Sequence, residues 1–529
     1  MRAFATLLDD LSYQSSRNAK LRLMGDYFAS APDPDRGYAL AALTGELSLS
    51  AAKPKLIREL VTERVDPVLF GWSYDYVGDL AETVALIWPE RPGANRSPAL
   101  SEVVARLEES HRAALPGLLE SWLDAMDATE RWALLKLITG ALRVGVSARL
   151  AKTALAGMAD RDVAEIEEVW HGLEVPYVDL FAWLENRGPR PSIDDKPAFR
   201  PLMLANPLED GDLAKLDPAD YRAEWKWDGI RVQLVGLTDG HGRRHARIYS
   251  RTGDDISRAF PDVAEAIDFD AVLDGELLVV RGGEAAPFND LQQRLGRKTV
   301  SAKMLSEFPA HVRVYDILFD RTEDLRGLGF DARRARLEAF LAGGRARLDL
   351  SPLVPFDAWD ELAQLRDGAR SAGIEGLMLK RADSPYLAGR PKGPWFKWKR
   401  DALTVDTVLM YAQRGHGKRS SFYSDFTFGC WRNGDEGTEL VPVGKAYFGF
   451  TDEELVQLDK WVRGHTLNRF GPVREVEPAL VLEVAFDDVH RSKRHKSGLA
   501  MRFPRIHRIR WDKPAAEADW VGALERLMG

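Results

Sequence analysis

At 529 residues, with 45% apolar and 29% charged side chains, the chain is too apolar to be disordered and long enough for more than one hydrophobic core. Its formal charge of −8 gives no global signature of nucleic-acid binding, so a polyanion site must come from local clustering. The single cysteine, Cys430, excludes a disulfide framework and a four-cysteine zinc module, and reads as a small buried hydrophobe.

Residues 1–190 read as helical, with long apolar-periodic stretches such as LSEVVARLEESHRAALPGLLESWLDAM and RWALLKLITGALRVG. The segment NRGPRPSIDDKPAFRP, residues 186–201, is rich in proline and charge and reads as a linker. From 201 to 400 the pattern turns to short strand-like runs (RVQLVGL, HARIYS, AVLDGELLVV, HVRVYDILF, GLMLKR) with helices expected at 331–342 and 357–372, an α+β domain on antiparallel sheets. From 402 to 529 short strands recur, as in a small β-barrel. Inside it TDEELVQLDKWV predicts a helix with Thr451 as N-cap and Glu454 completing a capping box. No stretch of 18 apolar residues occurs and MRAFATLLDD lacks an apolar leader, so a cytoplasmic protein without a membrane span is expected.

The chemistry concentrates in Glu224-Trp225-Lys226-Trp227-Asp228-Gly229-Ile230-Arg231. Flanking indoles are expected to keep water from Lys226, and drying an ammonium weakens its preference for the charged form, as a nucleophilic lysine requires. Asp228-Gly229 allows a sharp turn, and Arg231 carries a forked cation suited to phosphate. Alternation along the strand puts Glu224 on the same face as Lys226. Downstream follow Ser250-Arg251-Thr252-Gly253, Leu273-Asp274-Gly275-Glu276-Leu277, Val314-Tyr315-Asp316, Glu375-Gly376-Leu377-Met378-Leu379-Lys380 and Trp395-Phe396-Lys397-Trp398-Lys399. Lys397 and Lys399 alternate with Phe396 and Trp398, so both lysines fall on one face. Glu276 and Glu375 are two acidic candidates, and a pair of carboxylates suits a hard divalent cation such as Mg²⁺.

These six segments, in this order, resemble the motifs of the covalent nucleotidyltransferases, a superfamily of ATP-dependent DNA ligases, RNA ligases and capping enzymes. The resemblance implies that Lys226 takes AMP from ATP through a phosphoramide bond. It implies further that Glu224 helps hold the base, with an ion-pair role the alternative, and that Arg231 and Arg251 meet ribose and phosphate oxygens. Glu276 would serve the ribose and metal, Glu375 the metal, and Tyr315 would stack on the base where phenylalanine is frequent. Lys380, Lys397 and Lys399 would face the phosphates, joined by either Arg390 or Lys392. Asp274 is a turn residue or a support for the metal.

Outside this core, the segment from His490 to Pro514 holds nine Lys or Arg against one Asp. Its Arg502 and Arg505 lie in a stretch that resembles the superfamily's last motif, on an oligonucleotide-binding (OB-fold) barrel. A second basic loop carries Lys418 and Arg419 among glycines. Near the other end, Arg143 between Gly140 and Gly145 resembles the helical DNA-binding domain of DNA ligases.

The whole is identified as a three-domain, bacterial-type ATP-dependent DNA ligase. Its domains are an all-α DNA-binding domain (1–190), an α+β nucleotidyltransferase core of ATP-grasp-like antiparallel sheets (201–400) and an OB-fold barrel (402–529). The implied cofactors are ATP and Mg²⁺, and the implied substrate is nicked double-stranded DNA. A monomer at the nucleoid is expected, and no protein partner is indicated. A GTP- or ATP-using capping enzyme or RNA ligase, or an inactive DNA-end-binding scaffold, are the alternatives.

Overall fold

The structure is a computed structural model. It describes residues 1–47, 49, 53–89, 96–111, 113–140, 142–193, 196–209, 211–297, 299–369, 374–400, 402–414, 423–434, 437–447, 449–492 and 495–528. No helix among them is long and apolar enough to cross a membrane.

The N-terminal region is a succession of helices from Arg2–Tyr13 to Ala148–Met158. Acidic N-caps start several of them. Asp127 and Glu130 form a capping box on helix Ala128–Ile138, and Asp79 caps helix Leu80–Ile87, satisfying backbone donors that a helix start leaves open. These two helices pack together, and Lys136 pairs with Asp79 across them. Helix Arg2–Tyr13 packs on Ala128–Ile138 with Phe4, Leu8 and Leu11 buried.

Residues Leu155–Arg400 form one compact unit, so helices Val163–Val169 and Val178–Leu184 go with the sheets that follow them. The predicted linker is better described as packed irregular chain. Ala198, Leu202 and Met203 are buried, and Glu168 pairs with both Arg200 and Arg326 at 2.9 Å. A proline-rich segment lacks donors for a ladder, and Gln233 supplies partners instead: it accepts from Arg200 N at 2.6 Å and donates to Arg200 O at 3.1 Å.

Two sheets make up this unit. The first has five strands in the order Asn206–Pro207, Trp395–Lys399, Ile374–Arg381, Tyr221–Trp227, Leu353–Val354. The second has seven, with Arg244–Ser250, Ile230–Thr238, Ala271–Arg281 and Ala310–Asp320 side by side. Both are mainly antiparallel, with two short parallel pairings. The predicted helices appear as Phe330–Leu341 and Trp359–Gly368.

Alternation gives each sheet two faces. Val232, Leu234, Leu273, Leu277 and Val314 fill a core on one face of the larger sheet. Tyr221, Ala223, Leu377, Leu379 and Phe396 fill another on one face of the smaller. Met203, Val235, Val272, Leu318, Tyr386 and Trp395, drawn from both sheets and the chain beside them, form a third core.

Helix Phe330–Leu341 is anchored by a fully buried ion pair. Arg333 donates to Asp316 at 2.8 and 3.0 Å and to the carbonyls of Leu328 and Ser384.

Beyond 402, strands Leu403–Arg414, Tyr423–Gly434, Gly437–Ala446, Thr466–Phe470, Val473–Val476, Val481–Phe486 and Arg505–Arg510 form one barrel-like sheet. Its core includes Leu409, Phe426, Phe428, Leu482 and Val484. Cys430 is free and buried in that core, and burial pushes its thiol up. Helix Asp452–Gly464 starts as predicted: Thr451 accepts from Glu454 N at 3.2 Å, and Thr451 N donates to Glu454 at 2.8 Å.

Removing Asp316 would leave a buried guanidinium without its counter-charge. Asp316→Ala is expected to lower unfolding free energy by about 3–5 kcal/mol in denaturant titration of the full chain. A loss below about 1 kcal/mol would show that the pair does not anchor the helix.

Candidate active site

Strand Tyr221–Trp227 places the key lysine through its alternation. Tyr221, Ala223 and Trp225 turn to the outer core, so Glu224 and Lys226 share the opposite face. This corrects the expectation of indole walls around the lysine. Trp225 packs with the outer core, while Trp227 donates to Ser351 at 3.1 Å and lies under Arg313. What meets the Lys226 ammonium is the carboxylate of Glu375.

Glu375 reaches that position because its strand is irregular. Ile374 pairs with Trp227 and Gly376 with Lys226, which leaves Glu375 as the extra residue of a β-bulge. A bulge re-aims a side chain out of strict alternation, here toward the lysine. Gly376 allows it: its φ is +147°, and a Cβ there would come 2.4 Å from the Trp398 carbonyl. Gly376 also lies opposite Lys399, whose ammonium is 3.4 Å from Glu375. Burial raises the Glu375 carboxyl, but Lys226 and Lys399 outweigh it and hold it at about 2.

Opposite Met378 stand Glu224 on one side and Lys397 on the other. The Lys397 ammonium is lowered by burial and by four cations: Arg390, Lys399, Lys226 and Arg251. Lys397 and four further cations, Lys226 among them, thus gather on these strands and loops. Arg390, rather than Lys392, is among the charges acting most strongly on Lys397.

The turn Asp228-Gly229 carries the chain from the smaller sheet into the larger. A Cβ on Gly229 would stand 2.4 Å from Leu277 O and 2.8 Å from Glu276 Cγ, so only glycine lets the turn pass this close to Glu276. Burial raises the Glu276 carboxyl to about 8, helped by Glu375 and Asp274 and opposed by Lys226 and Arg231.

Two half-buried carboxylates that feel each other, beside a cation cluster, suit a hard divalent ion completed by phosphate oxygens and water. Among the described residues no set of three or more His, Cys, Asp or Glu forms a closed metal cage. As oxygen donors of this kind, Glu276 and Glu375 fit Mg²⁺.

Other predicted residues hold different positions. Arg231 is bound within the protein, bidentate to buried Asp274 at 3.0 and 2.6 Å and donating to Met203 O and Tyr386. Tyr386 in turn donates to Asp274 at 2.7 Å, so Asp274 is the hub of a buried network. Lys380, expected against phosphate, is 2% exposed and pairs with Glu224 at 2.5 Å. Its ammonium lies over the rings of Tyr315, Phe330 and Trp395. Tyr315 thus has a cation over its ring as well as its place beside the site. Glu224 is 2% exposed and also accepts from Arg334 at 3.0 Å. Arg334 escaped the sequence reading because two adjacent arginines in FDARRARL look like any charged helix face.

The DNA-facing candidates are more exposed. Arg143 is exposed between Gly140 and Gly145, both in the left-handed region, and Lys20 donates to Gly145 O at 2.8 Å. Arg502 lies over the Phe503 ring, and Arg505 pairs with Asp487 at 3.1 Å. Lys418 and Arg419 lie outside the described residues.

Residues 202–399 match the family described as ATP dependent DNA ligase domain, and residues 419–513 match the ATP dependent DNA ligase C terminal region. A probable DNA ligase of Koribacter versatilis is 32% identical over 100% of this chain and 96% of its own. The chain belongs to the ATP-dependent DNA ligases. DNA ligase 1 of Korarchaeum cryptofilum is 30% identical over 100% of this chain and 98% of its own. The solved structure named Pmar-Lig_PreS3 shares the fold, with a TM-score of 0.60 at 16% identity over 96% of this chain and 99% of that one. The chain is therefore an enzyme that joins DNA at the expense of ATP, and the capping-enzyme, RNA-ligase and scaffold alternatives fall away.

In this ligase, Gly229→Ala is expected to slow AMP transfer to the enzyme at least about tenfold, because the turn or Glu276 must shift to relieve the clash. Single-turnover adenylation with labelled ATP measures it. An unchanged rate would mean that the close approach of turn and carboxylate has no bearing on the chemistry.

Proposed function

We propose that the enzyme seals nicks that carry a 5′-phosphate and a 3′-hydroxyl in duplex DNA, with Lys226 as the group that carries AMP. The observation that supports this most is the placement of Lys226 beside Glu375 amid Arg251, Arg390, Lys397 and Lys399.

First, Lys226 gives up a proton and its lone pair attacks the α-phosphorus of ATP. A P–N bond forms as the P–O bond to pyrophosphate breaks. The surrounding cations hold the triphosphate in line and stabilise charge on the departing pyrophosphate. Second, an oxygen of the 5′-phosphate at the nick attacks the same phosphorus, the P–N bond breaks, and the lysine recovers a proton. Third, the 3′-hydroxyl loses its proton and attacks the 5′-phosphate, closing the strand and releasing AMP. Glu276 and Glu375 would hold Mg²⁺, which would supply the charge neutralisation on the phosphates that these two carboxylates cannot.

The remaining roles complete this reading. Glu224 lies at the base end of the site, with Tyr315 beside it. Arg231 holds the wall of the site through Asp274 and, once a nucleotide enters, reaches the ribose from there. Arg251 and Arg390 serve phosphate oxygens. The domains read from sequence as 1–190, 201–400 and 402–529 act as DNA clamp, adenylation core and OB-fold barrel, with the helices from Leu155 onward packing in the unit of the core. Arg143, Lys418, Arg419, Arg502 and Arg505 contact the DNA backbone without reading sequence, so affinity falls with salt. We place the enzyme as a monomer in the cytoplasm at the nucleoid.

The test separates the steps. Lys226→Ala is expected to abolish ATP-driven joining of a nicked duplex yet still seal a nick that already carries AMP on its 5′-phosphate, and to bind nicked duplex within about threefold of wild type. Loss of binding together with both joining reactions would make Lys226 structural.

A further inference from the structure

Glu224 is a buried carboxylate with two cations fixed on its two oxygens. Arg334 Nη1 donates to Oε1 at 3.0 Å, and Lys380 Nζ lies 2.5 Å from Oε2. All three side chains are nearly sealed from solvent, at 2%, 6% and 2% exposure for Glu224, Arg334 and Lys380. The cations come from different elements: Arg334 from helix Phe330–Leu341, Lys380 from the neighbouring strand Ile374–Arg381. Arg334 is itself held from behind, its Nε donating to Glu338 at 2.8 Å. Lys380 is held among the rings of Tyr315, Phe330 and Trp395.

Burial raises the Glu224 carboxyl above its ordinary range and Asp316 adds to that pressure, while Lys380 and Arg334 hold it back toward the ionised form. The distinction matters chemically. An ionised carboxylate only accepts hydrogen bonds, whereas a protonated one also donates. A base with an amine at C6 offers a donor, and one with a carbonyl at C6 offers an acceptor that a carboxylate repels. Glu224 is two residues from Lys226 on the same strand face, roughly 6.6 Å along the strand. That is the scale of the ribose separating an α-phosphate from its base.

We infer that Arg334 is a positioning residue for nucleotide selection, holding Glu224 as an oriented, acceptor-only anion against the 6-amino group of adenine. The inference rests on Lys226 and Glu224 marking the phosphate and base ends of the site. Arg334 touches neither substrate nor reacting atoms; it acts through Glu224.

The experiment measures single-turnover self-adenylation of the full chain with Mg²⁺ and, in turn, ATP, GTP and purine riboside triphosphate, which has hydrogen in place of the 6-amino group. Wild type is expected to favour ATP over the purine analogue about tenfold or more, the strength of a hydrogen bond to a charged acceptor. Arg334→Met should shrink that preference by most of this factor, through KM for ATP, and change the rate with the purine analogue less than about twofold. GTP use should rise relative to ATP. Arg334→Lys, which keeps the charge, should restore part of the preference. Arg334→Gln, which keeps a donor without the charge, reads the same effect should the methionine variant not fold.

Equal slowing with ATP and the purine analogue, or no change with either, would overturn the inference, because a merely structural arginine does not sense the 6-amino group. Glu224→Gln separates the two levels. If it leaves the preference for ATP intact, Glu224 does not read the base and the underlying assignment fails. If it collapses the preference while Arg334→Met does not, the positioning role alone fails.

Discussion

Lys226, Arg251, Arg390, Lys397 and Lys399 are like charges gathered in one region of a folded chain, with Glu375 paired to two of them. Their mutual repulsion would be relieved by a polyphosphate among them. The arrangement therefore suits an anion by its own electrostatics, and it is tolerable because the sheets beneath are rigid. Outer cores on both sheets and a third, aromatic-aliphatic core drawn from both fix the strands that carry these cations.

Rigid placement shows in the supporting ion pairs as well. Arg333 with Asp316, Arg231 with Asp274, and Arg334 and Lys380 with Glu224 are all buried or nearly so. Pairs of this kind add little net stability over apolar packing, but breaking one leaves a buried charge without compensation. Their effect is geometric: each holds a polar group of the cleft at a set place. Helix Phe330–Leu341 contributes two adjacent arginines that reach different carboxylates, Asp316 and Glu224, and so ties both sheets to one element.

The motif order and strand alternation made much of this legible from sequence. Glu224 and Lys226 share a face, as do Lys397 and Lys399, because side chains alternate by two in any strand. The capping box at Thr451 and Glu454 was readable for a similar local reason. Departures came where local rules do not apply. The bulge that turns Glu375 toward Lys226 is a property of pairing between strands, and the same alternation sends Trp225 away from the lysine. The buried fates of Arg231 and Lys380 depend on partners 43 and 156 residues away, Asp274 and Glu224, which no spacing within a motif encodes. The proline-rich segment at 186–201 has a linker's composition, yet its contacts with Gln233 and Tyr249 pack it onto the sheets.

Whether Lys226 carries the nucleotide is read most directly from the mass of the intact protein. After incubation with ATP and Mg²⁺, the protein should gain the mass of one AMP, peptide mapping should place it on Lys226, and nicked duplex should discharge it. An adduct on another residue, or none from protein shown to be free of AMP beforehand and able to bind nicked DNA, would contradict Lys226 as the carrier.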